Sequence, residues 1–282
     1  MKRTMVLSGL AFMSVCARAI DFEAPTYVGS APGTVLTGQN GWYNPTGSSA
    51  DWDVYTYADN SMGVVANPAG GGDQFAGGIA EEGPGMARAQ KDFAWSHNEF
   101  VVTYDVNHRF LGQYASNYLG SWSLQPSTTN IAGQDLHIWD PFYTNWYIVL
   151  RLYDASGNML PDEVPGPAWA NLLTNHWYRI EHTISFVTNR WTKTSITDLH
   201  TSTTNTFMPT NWYMSGGSNP TLDLPTAYRF FAGSSGYAGN AFALDNFTIV
   251  PEPGTLSVIG AVLSLLVVRR RVFRSPGARS KK

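Results

Sequence analysis

Strict alternation of apolar and polar side chains constrains this chain more than any other feature. Phe100-Val-Val-Thr-Tyr-Asp-Val106 puts Phe100, Val102, Tyr104 and Val106 on one face, and Trp146 to Leu152 does the same with Trp146, Ile148, Leu150 and Leu152. From Trp177 to Phe186, Tyr178, Ile180, Ile184 and Phe186 point one way, and Arg179, Glu181, Thr183 and Ser185 the other. A period of two is strand geometry; an amphipathic helix would repeat every three to four residues. One buried and one wet face per strand predict sheets stacked in pairs.

Glycine, proline, asparagine, serine and threonine interrupt short apolar runs throughout the middle of the chain, and long amphipathic helices are missing there. Asp154 to Asn158 and Thr188-Asn189-Arg190 read as hairpin turns. The glycine- and proline-rich stretches 66–85 and 214–225 read as loops, and Thr201–Thr206 as a strand end or connection. There is no internal repeat. The expected fold is all-β: a single β-sandwich domain over residues 20–249.

Both ends differ from this middle. Lys2 and Arg3, the apolar run Met5 to Val15 and Ala17-Arg18-Ala19 form a secretory signal, residues 1–19, so that the mature protein is expected to begin at Ile20 or Asp21. The single cysteine, Cys16, falls before that cut, so the mature chain has none and must be stable without disulfides. Residues 250–282 form the second extension. Pro251-Glu252-Pro253-Gly254 is a polar hinge, residues 254–268 a mostly apolar helix, and Arg269, Arg270 and Arg271 open a basic end. Basic residues after an apolar run are a stop-transfer pattern. The Leu256–Val268 core of the run reaches only about 20 Å as a helix, against about 30 Å of hydrocarbon. Hinge, apolar run and arginine cluster in this order resemble the PEP-CTERM sorting signal of bacterial exported proteins. That resemblance implies an exosortase as partner, membrane contact through the C-terminal helix, and export, either membrane-anchored or, after processing, at the cell surface or in the extracellular matrix.

Removing both extensions uncovers a charge asymmetry. The exported domain keeps eight Lys and Arg against twenty Asp and Glu, a net charge of about −12. Such a surface repels phosphate backbones, which excludes nucleic acid as a partner, and it offers the oxygen ligands that hard cations use.

Asp21-Phe22-Glu23, the strand from Asn175 to Glu181 with its hairpin return, and Ala241 to Ile249 together resemble the concanavalin A-like or laminin-G-like jelly roll. Carbohydrate-binding modules share that architecture. The resemblance implies that the first and last strands pair. It also implies that Glu23 and Asp245 hold a structural Ca²⁺ ion between them.

Catalytic patterns are missing. Glycoside hydrolases of this fold carry strings such as E-x-D-x-x-E, which set an acid and a nucleophile on one strand face; Asp51-Trp52-Asp53 has the spacing but no third carboxylate, and Asp162-Glu163 sits between prolines. The six histidines show no H-x-H or H-E-x-x-H spacing, and His182 falls on an apolar strand face, as a hydrogen-bonded core residue would. No G-x-S-x-G elbow is present. All ten tryptophans lie in the exported domain, most densely around Trp139 to Tyr147. Sugars present apolar faces and polar edges, so exposed aromatics beside Asp, Asn and Gln suit a glycan. About three of the ten are expected at the surface, and Trp139, Tyr143 and Trp146 are the candidate stacking residues. The functional expectation is a surface-sorted, non-catalytic binding or adhesion protein for extracellular polysaccharide. A hydrolase or lyase of the same fold and a structural matrix protein are the alternatives.

Overall fold

The computed structural model of the protein describes residues 18–47, 50–80, 87–93, 99–110, 120–125, 132–138, 145–161, 164–219, 224–233 and 239–251, of which 18, 19, 110, 132–138 and 240 by backbone alone. Strands β1 (Arg18–Ile20), β2 (Thr34–Val35), β3 (Trp42–Tyr43), β4 (Ala50–Asp51), β5 (Asp53–Thr56) and β6 (Gln74–Ile79) come first. They are followed by β7 (Ala87–Asp92), β8 (Glu99–Phe110), β9 (Gly120–Gln125), β10 (Ala132–Ile138) and β11 (Asn145–Arg151). After a 3₁₀ turn at Pro167–Trp169 come β12 (Leu172–Leu173), β13 (Trp177–Ser185), β14 (Arg190–Asp198), β15 (Thr203–Phe207), β16 (Ala227–Ala232) and β17 (Asn240–Pro251).

Among the described residues these form two sheets. The first, of nine strands, runs β15-β14-β13-β8-β17-β6-β5-β2, with β1 also paired to β17. The second, of eight, runs β12-β11-β10-β9-β16-β7-β3, with β4 parallel to β7. All other named strand pairs are antiparallel. Their inner faces meet in one apolar core that includes Phe100, Val102, Tyr104 and Val106 from β8, Trp146, Ile148 and Leu150 from β11, and Ile180 and Ile184 from β13. The three alternating stretches are therefore strands packed on a common core, and the fold is the expected all-β jelly-roll sandwich.

The last strand changes face partway. Phe242 and Leu244 are in the core before a bulge between Asp245 and Thr248, and Phe247 and Ile249 after it. Asn246 stands at φ 49°, so one extra residue is absorbed and the inward parity moves from even to odd. Pairing continues to Pro251 opposite Phe100, two residues past the expected boundary. At the other end β1 includes Arg18 and Ala19, ahead of the expected cleavage point, paired with Ile249 and Thr248.

Two expectations need correction. The outer face of the first sheet is not simply wet. The chain after β5 folds back over it, and Tyr55, Met62, Val64, Phe75, Trp177, Ala241 and Ala243 form a second, smaller core. Asn60 holds that cover in shape, its side chain bridging Tyr57 O, Val64 O and Val64 N. Thr183 and Ser185, expected outward and wet, are likewise buried. The second correction is β6, which lies inside the stretch read as a loop. Its glycines look like loop residues but serve packing: a Cβ at Gly77 would meet the Met62 sulfur, and one at Gly78 the Trp52 indole. Glycine in a strand marks such close approach.

Among the described residues no helix is long and apolar enough to cross a membrane. The expected signal sequence up to residue 17, Glu252, Pro253, the expected helix 254–268 and Arg269, Arg270 and Arg271 lie outside the described residues.

Candidate functional site

Two polar constellations stand out, one buried and one at the surface. The buried one sits under the cover on the outer face of the first sheet. Arg179, Asp105 and Asp245 are cross-strand neighbours in one row across β13, β8 and β17. Two aspartates directly opposite each other repel, and both are fully buried. The Arg179 guanidinium grips Asp105 with two contacts, Nε to Oδ1 at 2.7 Å and Nη2 to Oδ2 at 2.9 Å. Asp245 accepts from the Tyr57 hydroxyl (2.9 Å), Asn67 Nδ2 (3.2 Å) and the Asn246 backbone N–H (2.8 Å). Asn67 and Asn246 also donate to Asp105 Oδ2. Burial raises the Asp245 carboxyl to about 7, against the pull of those donors and with the Asp105 charge adding to the rise. Burial, then the Asp245 charge, also raises the Tyr57 hydroxyl. With both carboxylates buried and hydrogen-bonded, this network fixes the cover and presents neither aspartate to a substrate.

The surface constellation lies where the two sheets end on the same side. β12 is the edge of the second sheet and β15 that of the first. Between them runs a groove of about 280 Å³, lined by Ala168, Ala170, Asn171, Leu172, Tyr178, Ile196, Asp198, Thr201, Thr203 and Asn205. Its origin is local. Ile196 and Asn205, and Asp198 and Thr203, face each other across β14 and β15, but β12 is only two residues long and cannot cover that width. The inward positions that would otherwise need apolar residues are therefore polar at the rim. Trp169 is buried behind the wall and anchors the 3₁₀ turn. Tyr178 forms part of the floor and accepts the Leu173 N–H at 2.9 Å. Burial, then the Asp198 charge, raises its hydroxyl.

Next to Asp198 the groove meets two histidines. His176 Nε2 lies 2.9 Å from Asp198 Oδ1, and the His176 and His200 rings stack with centroids 3.8 Å apart and planes 20° apart. Asp198 Oδ1 also accepts the N–H groups of His200 (2.8 Å) and Thr201 (3.2 Å). Burial opposes ionisation of Asp198, but these hydrogen bonds, led by His176, outweigh it and hold the carboxyl below its usual range. One ligand atom from each of His176, Asp198 and His200 lies within 4.8 Å of the others, a group that could hold a metal ion. The missing H-x-H spacing hid this group, because it is assembled across a hairpin.

The residues singled out from sequence fare differently. Trp146 is fully buried, edge-on to His108 and Tyr178, and donates its Nε1–H to Leu173 O at 2.9 Å. It fills the core and cannot stack on a ligand. Trp139 and Tyr143 lie outside the described residues. The expectation of exposed tryptophans fails where it can be read: apart from Trp95 and Trp139, which are not described, every tryptophan is buried. An indole buries more apolar area than any other side chain, and a wide sandwich needs large fillers. His182 is the hydrogen-bonded core histidine expected, 2.7 Å from the Thr194 hydroxyl and lowered by burial to about 3. Glu23 follows β1 and Asp245 lies in β17, so strand pairing does bring the chain ends together. Their oxygens already hold donors, Gln74 N on Glu23 Oε1 at 2.7 Å and those named above on Asp245. A cation there would have to take the place of N–H and O–H groups. Asp51 accepts from the Thr37 hydroxyl and Asp53 from Tyr55, whereas Asp162 and Glu163 lie outside the described residues.

No protein-family model matches the chain, and no curated protein matches it. Among solved structures it is similar to the CBM2 module of Lactobacillus casei BL23 phage J-1 evolved Dit, at 14% identity over 76% of this chain and 91% of that one, TM-score 0.45. It is similar also to an engineered GH43 glycoside hydrolase, at 11% identity over 88% of this chain and 42% of that one, TM-score 0.45. Peanut lectin matches at 11% identity over 63% and 86%, TM-score 0.40. Likeness at this level transfers neither ligand nor activity.

Proposed function

We propose that this chain is a non-catalytic binding module for extracellular polysaccharide, with the groove between the sheet edges as its site. The observation that carries the reading is the groove's composition. Apolar Ala168, Leu172 and Tyr178 form walls and floor, and Asp198, Thr203 and Asn205 supply polar groups at the rim. A sugar ring has the matching character, with apolar faces and hydroxyl edges, and such mixed linings are typical of ligand sites. Hydrolysis needs two accessible carboxyl groups about 5–9.5 Å apart. Among the described residues the groove lining contains one, Asp198, and the Asp105 and Asp245 pair is sealed from solvent.

The second support is the direction in which the groove faces. Arg18 of β1 and Pro251 of β17 emerge at the end of the first sheet where Phe100 pairs with Ile184. Tyr178, Asp198 and Thr203 lie at the opposite end, where Val106 pairs with Tyr178. Six residues of strand separate the two levels, about 20 Å. A domain tethered through its C-terminal extension thus presents the groove away from the tether. In this reading the N-terminal signal exports the chain, an exosortase recognises Pro251, Glu252, Pro253 and the arginine cluster, and Ca²⁺ at Glu23 and Asp245 braces the paired ends.

Binding of the exported chain to a polysaccharide panel tests the site. Replacing Thr203 by Val and Asn205 by Ala touches only exposed side chains of an edge strand. Losing about two hydrogen bonds should weaken binding about tenfold or more. Full affinity in that double variant rejects the groove, and binding to no polysaccharide favours a structural matrix role. For the tail, residues 251–282 fused to a neutral exported reporter should retain it at the membrane of an exosortase-containing host. Release at an unchanged rate rejects the sorting reading.

A further inference from the structure

We propose that His176, Asp198 and His200 form a site for one borderline divalent metal ion of the Zn²⁺ class. Two imidazole nitrogens and one carboxylate oxygen converge within 4.8 Å. That N₂O donor set suits Zn²⁺, Co²⁺, Ni²⁺ or Cu²⁺. It does not suit Ca²⁺ or Mg²⁺, which want six or more oxygen ligands.

The surroundings resemble the outer shell of a metal site. Asp198 Oδ1 is held by the backbone N–H groups of His200 and Thr201, which orient the carboxylate. Its Oδ2 accepts no hydrogen bond among the described residues. A simple His176–Asp198 ion pair would account for one histidine, but it leaves the second unexplained: the His200 ring stacks on His176 and makes no hydrogen bond among the described residues.

Ion entry needs one side-chain rearrangement. The proton that links His176 Nε2 to Asp198 leaves to solvent and the metal takes its place. Tetrahedral zinc with bonds of about 2.0–2.2 Å sets nitrogen and oxygen ligands about 3.4 Å apart, so the 2.9 Å pair opens slightly. Imidazole lone pairs lie in the ring plane, so the stacked rings must splay. His200 is exposed and past the end of β14, so its ring is the one that would leave the stack, while His176 and Asp198 are half-buried and stay. The fourth position remains for water or a ligand oxygen. Ligation would tie the start of β13 to the end of β14 and fix the groove rim at Asp198. The site does not depend on what the groove binds.

The test uses the full chain, stripped with a chelator and titrated calorimetrically with Zn²⁺ alone, without polysaccharide. One ion per chain should bind with micromolar or tighter affinity, excess Ca²⁺ or Mg²⁺ should not compete, and Co²⁺ should give a visible ligand-field band. His200→Ala, at an exposed position, should keep the fold and weaken Zn²⁺ binding at least about tenfold; His176→Ala should do the same. His97→Ala and His137→Ala serve as controls and should bind as the parent does. Failure to bind Zn²⁺, full affinity in His200→Ala, or loss of binding in either control would overturn the site.

Discussion

His176 and His200 stack ring on ring at 3.8 Å although the whole β13–β14 hairpin separates them in the chain. A bulge decides this contact. At the turn Ser185 pairs with Arg190 and Ile184 with Trp191, a register that would carry His176 to the level of Leu199. Between Ile184 and Thr183 the register shifts, so that Thr183 meets Lys193 and Tyr178 meets Asp198. One extra residue in β14 thus brings His200 level with His176 and points Asp198 into the groove.

Trp146 separates structural from ligand-binding aromatics. Alanine there should lower stability by about 3–5 kcal/mol, the cost of emptying a fully buried aromatic site, and should also orphan Leu173 O. Chemical denaturation measures this directly. Alanine at Trp139 or Tyr143 should weaken polysaccharide binding. A Trp146→Ala variant of parental stability would contradict the packing described.

Stability should respond to pH through three buried groups with opposite signs. Asp245 is raised to about 7 by burial. An unfolded aspartate releases its proton near 3.9, so the folded state holds the proton longer, and stability from this group is full at low pH and lost as pH rises toward about 7. His108 and His182 are lowered to about 3 by burial. Their contribution is full above about 6.5 and falls as pH drops toward about 3. The stability of Asp245→Asn relative to the parent should therefore climb between pH 4 and pH 7 and level off above. A difference that does not vary with pH would show that Asp245 is ionised throughout.

Calcium is tested where Asp245 is charged. At pH 8 its carboxylate faces that of Asp105, which Arg179 grips from the opposite side, and a cation that also engages Glu23 would relieve the excess charge. Thermal unfolding in millimolar Ca²⁺ should then show a higher midpoint than in EDTA, because the ion binds only the folded chain. Equal midpoints, or the same increase in Asp245→Asn, would remove Glu23 and Asp245 as ligands.

Gly78 probes the strand hidden in the glycine-rich stretch. Alanine there would press on the Trp52 indole, which donates to Ala87 O at 3.0 Å. Overpacking of this kind should cost about 1–3 kcal/mol. Alanine at Gly70, whose Cβ would meet nothing but whose φ is 74°, should cost only the strain of a left-handed backbone. If both variants are equally stable, Gly78 is not packed against Trp52.

Period-two patterning by itself determined the class of fold, the inward faces of β8, β11 and β13, and the core role of His182. Alternation is a local property, legible in those three strands wherever their neighbours lie. The tertiary structure decided what alternation cannot express. Phe242 and Leu244 are out of phase with Phe247 and Ile249, and only the bulge at Asp245 and Asn246 turns both pairs inward. Gln74–Ile79 is glycine-rich because Met62 and Trp52 press on it from opposite sides, a contact between distant segments. Tryptophan exposure could not be read either, since an indole beside polar neighbours looks the same in a core or on a surface. The groove exists because β12 is short where β14 and β15 are long, and the His176, Asp198 and His200 cluster because a bulge moved one strand by one residue. Both depend on register and strand length across a sheet, which hydrogen bonding between distant parts of the chain sets.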